Sequence, residues 1–332
     1  MIRFHNGRVL TFEHGAELSD CEVWTDGGAI SYVGPKKADM PAFEREIDLN
    51  GDLLMPGFKN AHTHSGMTFL RYNRVHERIS YRMGFHAEYT TCMERMEYVA
   101  SLVEKYKTPM FVHSSETMAE VDGCIGRYGV TPTVLFEKLG MYNYGGGGFH
   151  CVHMSDEDIE IFKRRGLWAV LNPASNLKLA SGIAPAARFI KEGIGLAIGT
   201  DGAGSNNALD MFREMYLVTA LAKYREGDAS AVDANEVLKM ACVGGARAMG
   251  LNDCDCIAAG KKADLTVIDL HKPNMRPINN ITKNVVYAGS KENVRLTMVN
   301  GRVLYENGEF YIGEDAEKVY AEADKIIKVI KA

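Results

Sequence analysis

Residues 55–64 read Met55-Pro56-Gly57-Phe58-Lys59-Asn60-Ala61-His62-Thr63-His64, a short apolar run that ends in two histidines one residue apart. Side chains of a strand alternate between its faces, so His62 and His64 project on one side and Thr63 on the other. Two imidazoles at the end of one strand can share a metal ion, and imidazole suits zinc and iron. A His-x-His pair alone is often a pair of unrelated surface histidines. Metal-type residues at later strand ends make the metal interpretation stronger here.

The composition is that of a globular chain without an obvious macromolecular partner. The 332 residues, 46% of them hydrophobic, suffice for a sizeable core in one large domain or two smaller ones. The net charge of -5 comes from interspersed acids and bases, so no basic stripe predicts nucleic-acid binding. We expect no membrane span, since no run of about 18 apolar residues occurs, and no cationic and apolar leader. Seven cysteines without a Cys-x-x-Cys pair favour a reducing, cytoplasmic location.

Both ends of the chain predict β structure. Residues 2–12 alternate around Asn6-Gly7, which is a strong hairpin signal, and residues 22–33 and 47–54 contain similar turns. Near the other end, residues 263–270 and 294–299 are strand-like, and Asn300–Leu304 repeats Asn6–Leu10 residue for residue. We predict one small β-sandwich built from residues 1–55 and 260–312. Residues 313–332 form a C-terminal helix with one apolar stripe.

The middle of the chain, residues 56–259, alternates strands with helices and predicts a (β/α) barrel. The glycine run 145–148 is interpreted as a flexible loop. In barrels of parallel strands the chemistry sits at the carboxyl ends of the strands. His64, His86, His113, His150 and Asp201 follow such ends and should gather at one mouth. Six strands are expected, at residues 59–64, 81–86, 109–113, 148–152, 167–172 and 195–201, and helices at 93–106, 130–139, 156–164, 186–192, 209–224 and 234–249.

Six motifs together resemble the amidohydrolase superfamily. The resemblance is to its branch of S-adenosylhomocysteine, 5-methylthioadenosine and related aminopurine deaminases, which also contains triazine chlorohydrolases. It runs from residue 1 to about residue 312. The motifs are residues 56–64, His113-Ser114-Ser115-Glu116-Thr117, His150-Cys151-Val152, Asn172 to Gly182, Gly199 to Asn207 and Gly260 to Leu265.

The resemblance implies an α/β fold of the TIM-like type and a metal-dependent hydrolase that deaminates an aminopurine nucleoside or a related amino-heterocycle. It implies a divalent metal held by His62, His64, His113 and Asp201, with zinc as first choice and iron or manganese as alternatives. Asp201 also accepts a proton, Glu116 shuttles one to a ring nitrogen, and His150 lies beside the attacking water. His86 and Ser205 match positions that touch the substrate.

One departure from the family pattern is large. The family barrel has eight strands, whereas only six are expected here, because Arg71 runs within about fifteen residues into the strand before His86. We therefore expect that two βα units are lost after Arg71, and that the open barrel retains the metal but deaminates weakly or not at all.

Three further expectations follow. The same site could instead remove chloride or an alkylamine from a triazine-like ring, because the metal ligands do not determine which group leaves. The chain could also be a catalytically impaired metal-binding remnant. Whatever its activity, the chain is expected to bind a small-molecule substrate. Through the apolar C-terminal stripe it is also expected to bind other copies of itself in a homo-oligomer.

Overall fold

The computed structural model describes residues 1–62, 64 and 82–331, without the side chains of the last two. The chain divides into two compact units, residues 1–57, 253–279 and 289–332 in the first and residues 58–252 and 280–288 in the second. The domain limits expected from the sequence stay a prediction, since a domain is defined by independent folding.

The described residues form fifteen strands and twelve α-helices. The strands are β1 Ile2–His5, β2 Arg8–Leu10, β3 Leu18–Ser19, β4 Glu22–Asp26, β5 Ala29–Gly34, β6 Arg45–Asp48, β7 Leu53–Pro56, β8 Met110–Ser114, β9 Gly146–His150, β10 Trp168–Leu171, β11 Gly195–Ile198, β12 Leu265–Ile268, β13 Val294–Val299, β14 Arg302–Glu306 and β15 Glu309–Phe310. The helices are α1 Met93–Tyr106, α2 Met118–Tyr128, α3 Pro132–Lys138, α4 Asp156–Arg165, α5 Pro173–Lys178, α6 Ala186–Lys191, α7 Ala203–Asn206, α8 Met211–Glu226, α9 Ala234–Lys239, α10 Gly245–Ala248, α11 Ile281–Tyr287 and α12 Ala316–Lys331.

The first unit contains two sheets, with strand orders β5-β4-β1-β6 and β15-β14-β13-β12-β7-β2-β3. One buried hydrophobic cluster joins residues of both sheets, such as Phe4 and Ile47 from the first and Leu54, Val267 and Leu296 from the second. The side chains of this cluster are removed from water, which is the main stabilising contribution in such a layer. Helix α12 belongs to this unit, and the side chains of residues 317–329 are exposed.

The expected hairpin around Asn6-Gly7 is wrong. Strands β1 and β2 lie in different sheets, where β1 pairs parallel to β6 and β2 pairs parallel to β7. The connection from β1 to β2 and the connection from β6 to β7 cross between the sheets next to each other. The Gly51 amide donates to the Asn6 carbonyl at 2.8 Å. A Cβ on Gly7 would lie 2.5 Å from the Leu49 Cβ, so glycine serves close packing here. The same five residues at Asn300–Leu304 do form a hairpin, between β13 and β14.

The second unit is built on a parallel sheet with the order β11-β10-β9-β8. Residues 58–62 extend this sheet beside β11, since the Ala61 amide donates to the Ile198 carbonyl at 3.0 Å. Residues 83–86 extend it beside β8, since the His113 amide donates to the His86 carbonyl at 3.0 Å. Within the described ranges the sheet is not a closed barrel. The expected break after Arg71 lies outside the described residues.

The two outer segments were expected to be regular strands, and in their described residues they are not. Residues 58–62 leave the strand ladder early, because the Lys59 amide donates to the Ala241 carbonyl at 2.8 Å. The Asn60 side chain takes over part of the pairing, donating to the Thr200 hydroxyl at 2.7 Å and accepting from the Thr200 amide at 3.0 Å. Residues 83–86 make a single bridge, from Met83 to Met110. The other four expected strands are present.

The expected helices are present, the first with the expected ends and the others with ends shifted by one or two residues. The last is interrupted by a π-helical turn at Met240–Gly244. Helix α2 was missed, since Gly123 and Gly126 lower its helix propensity. The Thr117 hydroxyl caps this helix by accepting from the Glu120 amide at 3.1 Å. In the part of the chain that the structure describes, no helix has the length and apolarity needed to span a membrane.

The glycine run is also different from expectation, because Gly146, Gly147 and Gly148 lie inside β9. A Cβ on Gly146 would lie 1.8 Å from the Met110 carbonyl oxygen, and one on Gly147 would lie 2.0 Å from that of Trp168. Side chains at these positions would push the neighbouring strands apart. The glycines therefore serve close strand packing and place His150 at the end of the sheet.

Replacing Gly147 by alanine tests this packing. Because the new Cβ meets backbone on the neighbouring strand, we expect Gly147→Ala to lower the free energy of unfolding by about 1–3 kcal/mol in urea titration. The matched control is Gly126→Ala in α2, where a Cβ meets no atom within 4 Å. That control should be neutral or raise stability by up to about 1 kcal/mol. Equal effects of the two changes would contradict the packing account.

Candidate metal centre

Four buried side chains converge at the carboxyl edge of the parallel sheet. His113 lies in β8, His150 ends β9, Asp201 follows β11, and His62 comes from the outer segment beside β11. One ligand atom from each lies within 4.8 Å of the other three. Parallel strands bring their carboxyl ends to one edge, which explains why residues so distant in sequence meet. Three imidazoles and a carboxylate are donors that zinc accepts, so this cluster is a candidate metal site.

Each imidazole of the cluster has its Nδ1 bound to an oxygen. The partners are the Asn172 Oδ1 for His62 at 2.9 Å, the His86 carbonyl for His113 at 2.8 Å and the Asn176 Oδ1 for His150 at 2.7 Å. The Asn172 amide is oriented by its own donation to the Val170 carbonyl at 2.9 Å. Since these oxygens only accept, Nδ1 carries the proton and Nε2 offers a lone pair.

The charge state of the cluster fits a metal ligand set. Burial is the main cause that lowers the pKa of His62 to about 3 and that of His113 to about 2, so both are neutral at physiological pH. The buried Nε2 of His150 has no hydrogen-bond partner among the described residues. A buried lone pair without a donor is costly, and a cation at the centre of the cluster would satisfy it.

Asp201 is held firmly by four donors. Its Oδ2 accepts from the hydroxyls of Ser175 at 2.6 Å and Ser205 at 2.8 Å, and its Oδ1 accepts from the Gly202 amide at 2.7 Å. The fourth is His64, whose Nε2 lies 2.9 Å from Oδ1. Burial acts to raise the pKa of Asp201, but the hydrogen bonds from His64 and the serines outweigh it and hold that pKa well below its usual range. Asp201 therefore stays ionised.

His64 lies beside the cluster of four. The hydrogen bond to Asp201 raises the pKa of His64 against the effect of its burial. The expected ligand set contained His64 where the structure groups His150 with His62, His113 and Asp201. The assignment of His62, His64, His113 and Asp201 as ligands stays a prediction.

Glu116 approaches the cluster from the loop that follows β8. Its Oε2 lies 3.8 Å from the His150 Nε2, and its Oε1 accepts from the Ser181 hydroxyl at 3.1 Å. The loop backbone is held by the buried Glu120, whose two oxygens accept from the Ser115 and Glu116 amides, both at 2.8 Å. Ser115 lies in the left-handed region at φ 55°, so the loop needs this support.

The two expected substrate contacts also lie at this edge. The His86 ring stacks on that of His113 with centroids 4.4 Å apart, and its buried Nδ1 has no hydrogen-bond partner in the described ranges. Ser205 touches the centre through its bond to Asp201. The structure thus brings together all eight residues that the sequence singled out, while their individual roles stay predictions.

The residues that orient the centre were missed by the sequence analysis. Asn172, Ser175, Asn176 and Ser181 lie in one segment of ten residues after β10, and each hydrogen-bonds a different member of the site. The sequence did contain a signal for these residues, because the segment follows a predicted strand and so leaves the sheet at the same edge as the predicted ligands. Polar side chains there would be expected to face the centre.

Comparison with known proteins agrees with this geometry. The model of the amidohydrolase family matches residues 72–304. The chain belongs to the amidohydrolase family, and the resemblance seen in its motifs is confirmed.

Several relatives carry the name 5-methylthioadenosine/S-adenosylhomocysteine deaminase. The one from Caldanaerobacter subterraneus is 41% identical over 249 residues, covering 75% of this chain and 57% of that protein. The one from Moorella thermoacetica is 40% identical over 249 residues, covering 75% and 58%. The one from Dictyoglomus turgidum is 34% identical over 325 residues, covering 94% and 75%. The chain thus spans less than two thirds of the first two.

Solved structures show the same architecture. An adenosine deaminase from Xanthomonas campestris with bound zinc has a TM-score of 0.89 and 26% identity, covering 99% of this chain and 98% of that one. An atrazine chlorohydrolase from Arthrobacter aurescens complexed with zinc has a TM-score of 0.83 and 18% identity, covering 98% and 100%, which shows the fold alone. The fold is therefore the TIM-barrel-like α/β fold of the amidohydrolases.

The support of the Glu116 loop can be tested by Glu120→Gln. Two backbone amides point at the carboxylate, and glutamine offers only one accepting oxygen, so one buried donor is left unpaired. We expect the free energy of unfolding to fall by about 1–3 kcal/mol. Urea titration measures the change, with the exposed Glu97→Gln in α1 as the control. A Glu120→Gln chain as stable as the control would show that the clamp does not support the loop.

Proposed function

We propose that this chain is a metal-dependent amidohydrolase that removes the amino group of an adenine nucleoside or a related amino-heterocycle. The observation that carries the proposal is the buried cluster of His62, His113, His150 and Asp201 with Glu116 beside it. The names of the relatives support the substrate class, and the zinc bound in the similar adenosine deaminase structure supports the chemistry.

The metal proposed is a single zinc ion, with iron or manganese as alternatives. His62, His113 and Asp201 would hold it together with His64, while His150 would lie beside the attacking water. A divalent ion in such a site supplies a Lewis acid that makes water a nucleophile at neutral pH. The uncharged Nε2 atoms of His62 and His113 suit this role, because a ligand must be free of its proton.

The chain's own groups can manage the protons of deamination. Asp201 would accept a proton from water through Oδ1, the carboxylate oxygen on the side of the imidazoles of His62 and His64. Glu116, anchored by Ser181, would deliver a proton to a ring nitrogen of the substrate. Water then adds to the ring carbon, the amino group takes up the proton that Asp201 accepted, the carbon–nitrogen bond breaks, and ammonia leaves while a ring carbonyl remains. His86 and Ser205 would contact the substrate.

A related function uses the same groups. Hydrolytic removal of chloride or of an alkylamine from a triazine-like ring needs the same attack on an electron-poor ring carbon, with another leaving group. The similarity in fold to an atrazine chlorohydrolase is the observation behind this candidate.

A third candidate is a chain that binds metal and turns over poorly. The described residues show a parallel sheet with an outer segment on each side and no closure, and a pocket that lacks a wall admits water. The proposed loss of two βα units between Arg71 and Tyr72 would have this effect.

Three further features are proposed. The two sheets of the first unit suit a β-sandwich built from both termini, because one core joins them. The exposed apolar residues Val319, Ile326 and Ile327 of α12 suit contact with another copy in a homo-oligomer. Seven free cysteines agree with the predicted cytoplasmic location.

Metal analysis tests the centre. Protein purified without chelator should carry about one equivalent of zinc, and His62→Ala should reduce it below about a tenth, since each ligand contributes strongly to affinity. Elemental analysis after dialysis measures the content, and the exposed His14→Ala serves as the control. Less than a tenth of an equivalent in the unaltered chain, or full retention by His62→Ala, would remove the metal assignment.

A substrate panel tests the reaction. With 5-methylthioadenosine and S-adenosylhomocysteine we expect release of ammonia, and Glu116→Gln should lower kcat by about 10²–10⁴-fold, because it removes a proton carrier. The exposed Asp122→Asn in α2 is the control. Chloride or alkylamine release from triazines without ammonia from nucleosides would favour the second candidate. Bound zinc with no turnover of any substrate would favour the third, which insertion of a homologous segment after Arg71 should then reverse.

A further inference from the structure

Glu214 is a fully buried carboxylate that makes no direct contact with the metal ligands in the described structure. It lies in the first turn of α8, and its side chain accepts two hydrogen bonds. Its Oε2 accepts from the Ala174 amide at the start of α5, at 3.0 Å, and its Oε1 accepts from the Asn206 side-chain nitrogen at the end of α7, at 2.7 Å. One carboxylate therefore ties two short segments together.

Both segments lead to the same oxygen of Asp201. Ser175 follows Ala174 in α5 and donates to Oδ2 at 2.6 Å, while Ser205 precedes Asn206 in α7 and donates to Oδ2 at 2.8 Å. The Asn206 side chain also donates to the Thr200 carbonyl at 2.6 Å, directly before Asp201. Glu214 thus binds the residue next to each serine, through the Ala174 amide on one side and the Asn206 side chain on the other.

We propose that Glu214 is a positioning residue for the metal centre, which sets the orientation of the Asp201 carboxylate by fixing Ser175 and Ser205. With Oδ2 turned toward the two hydroxyls, Oδ1 faces the histidines, 2.9 Å from the His64 Nε2 and 3.8 Å from that of His62. The inference rests on the metal site of the proposed function. It assigns the metal affinity partly to a residue that touches no metal ligand in the described structure.

The chemistry of the contact explains why a carboxylate is needed. Both groups that point at Glu214 are hydrogen-bond donors, so both carboxylate oxygens must accept. Glutamine would place its side-chain NH2 group against one of these two donors. Asn206 cannot compensate by turning its amide over, because its oxygen already accepts from the Arg213 guanidinium and its nitrogen serves Thr200. Burial raises the pKa of Glu214 to about 7, against the two hydrogen bonds that favour its charged form.

The test is the zinc affinity of the full chain, measured by competition with a chromophoric chelator at a pH about one unit above that pKa. We expect Glu214→Gln to weaken zinc binding by about 10–100-fold, the usual effect of losing an outer partner of a ligand. Asn206→Ala, which removes one of the two donors, should weaken it in the same direction. It gives a second reading if Glu214→Gln does not fold, as judged by circular dichroism.

A matched control separates positioning from stability. Asp158 is a fully buried carboxylate in the same unit, which accepts from the Ser155 amide at 2.8 Å and completes the capping box of α4. Asp158→Asn should lower the melting temperature of the metal-free chain while leaving the zinc affinity of the folded chain within about twofold, because it supports no ligand of the centre. Equal weakening of zinc binding by Glu214→Gln and Asp158→Asn would overturn the inference.

A double-mutant cycle tests the route of the effect. If Glu214 acts through Ser175, adding Ser175→Ala should cost clearly less affinity in the Glu214→Gln background than in the unaltered chain. Additive effects would overturn the proposed route. An unaltered chain that binds no zinc, or one in which His113→Ala changes nothing, would refute the proposed metal site itself. Normal zinc binding that Glu214→Gln leaves unchanged would refute only the positioning role.

Discussion

The structure of the second unit depends on packing three buried imidazoles side by side at one edge of the sheet. His62, His113 and His150 lie with ring centroids between 4.8 and 5.4 Å apart, so a proton gained by one would repel the others. Each ring donates its Nδ1 proton to an oxygen that can only accept, and those oxygens come from two chain segments, the one with Asn172 and Asn176 and the one with His86. The fold must therefore deliver the acceptors to the same edge as the histidines. The parallel sheet does both, because the ligands and their partners leave it at one end.

The loops that leave this edge are strained and are held by buried carboxylates. Ser115, His150 and Asp201 all have positive φ angles, a conformation that costs free energy for residues other than glycine. Glu120 fixes the backbone that follows His113, and Glu214 joins the two segments around Asp201. In both cases two donors converge on two oxygens. A carboxylate meets this demand with one side chain, and burial raises the pKa of both residues.

Much of this arrangement could be predicted from the sequence, because strands, helices and the residues at strand ends follow local patterns. The residues expected at the site meet in space for that reason. The failures have a common origin in contacts between distant segments. Asn6-Gly7 has the sequence of a hairpin turn, but β1 pairs with β6 and β2 pairs with β7. Glycine is needed at position 7 because a side chain there would clash with Leu49. The acceptors on His62 and His150 were missed likewise, since Asn172 and Asn176 gain their role only from the crowding of the imidazoles.

The three glycines of β9 bear on how the centre can come apart. Without side chains, Gly146, Gly147 and Gly148 have little to bury, and glycine loses more chain entropy on ordering than any other residue. Strand β9 is therefore ordered by β8 and β10 on either side of it, and His150 at its end has no independent support from the strand that carries it. Release of either neighbour would free β9 as well. The centre should then be lost in one cooperative opening, without a populated form in which some ligands are in place and others are not.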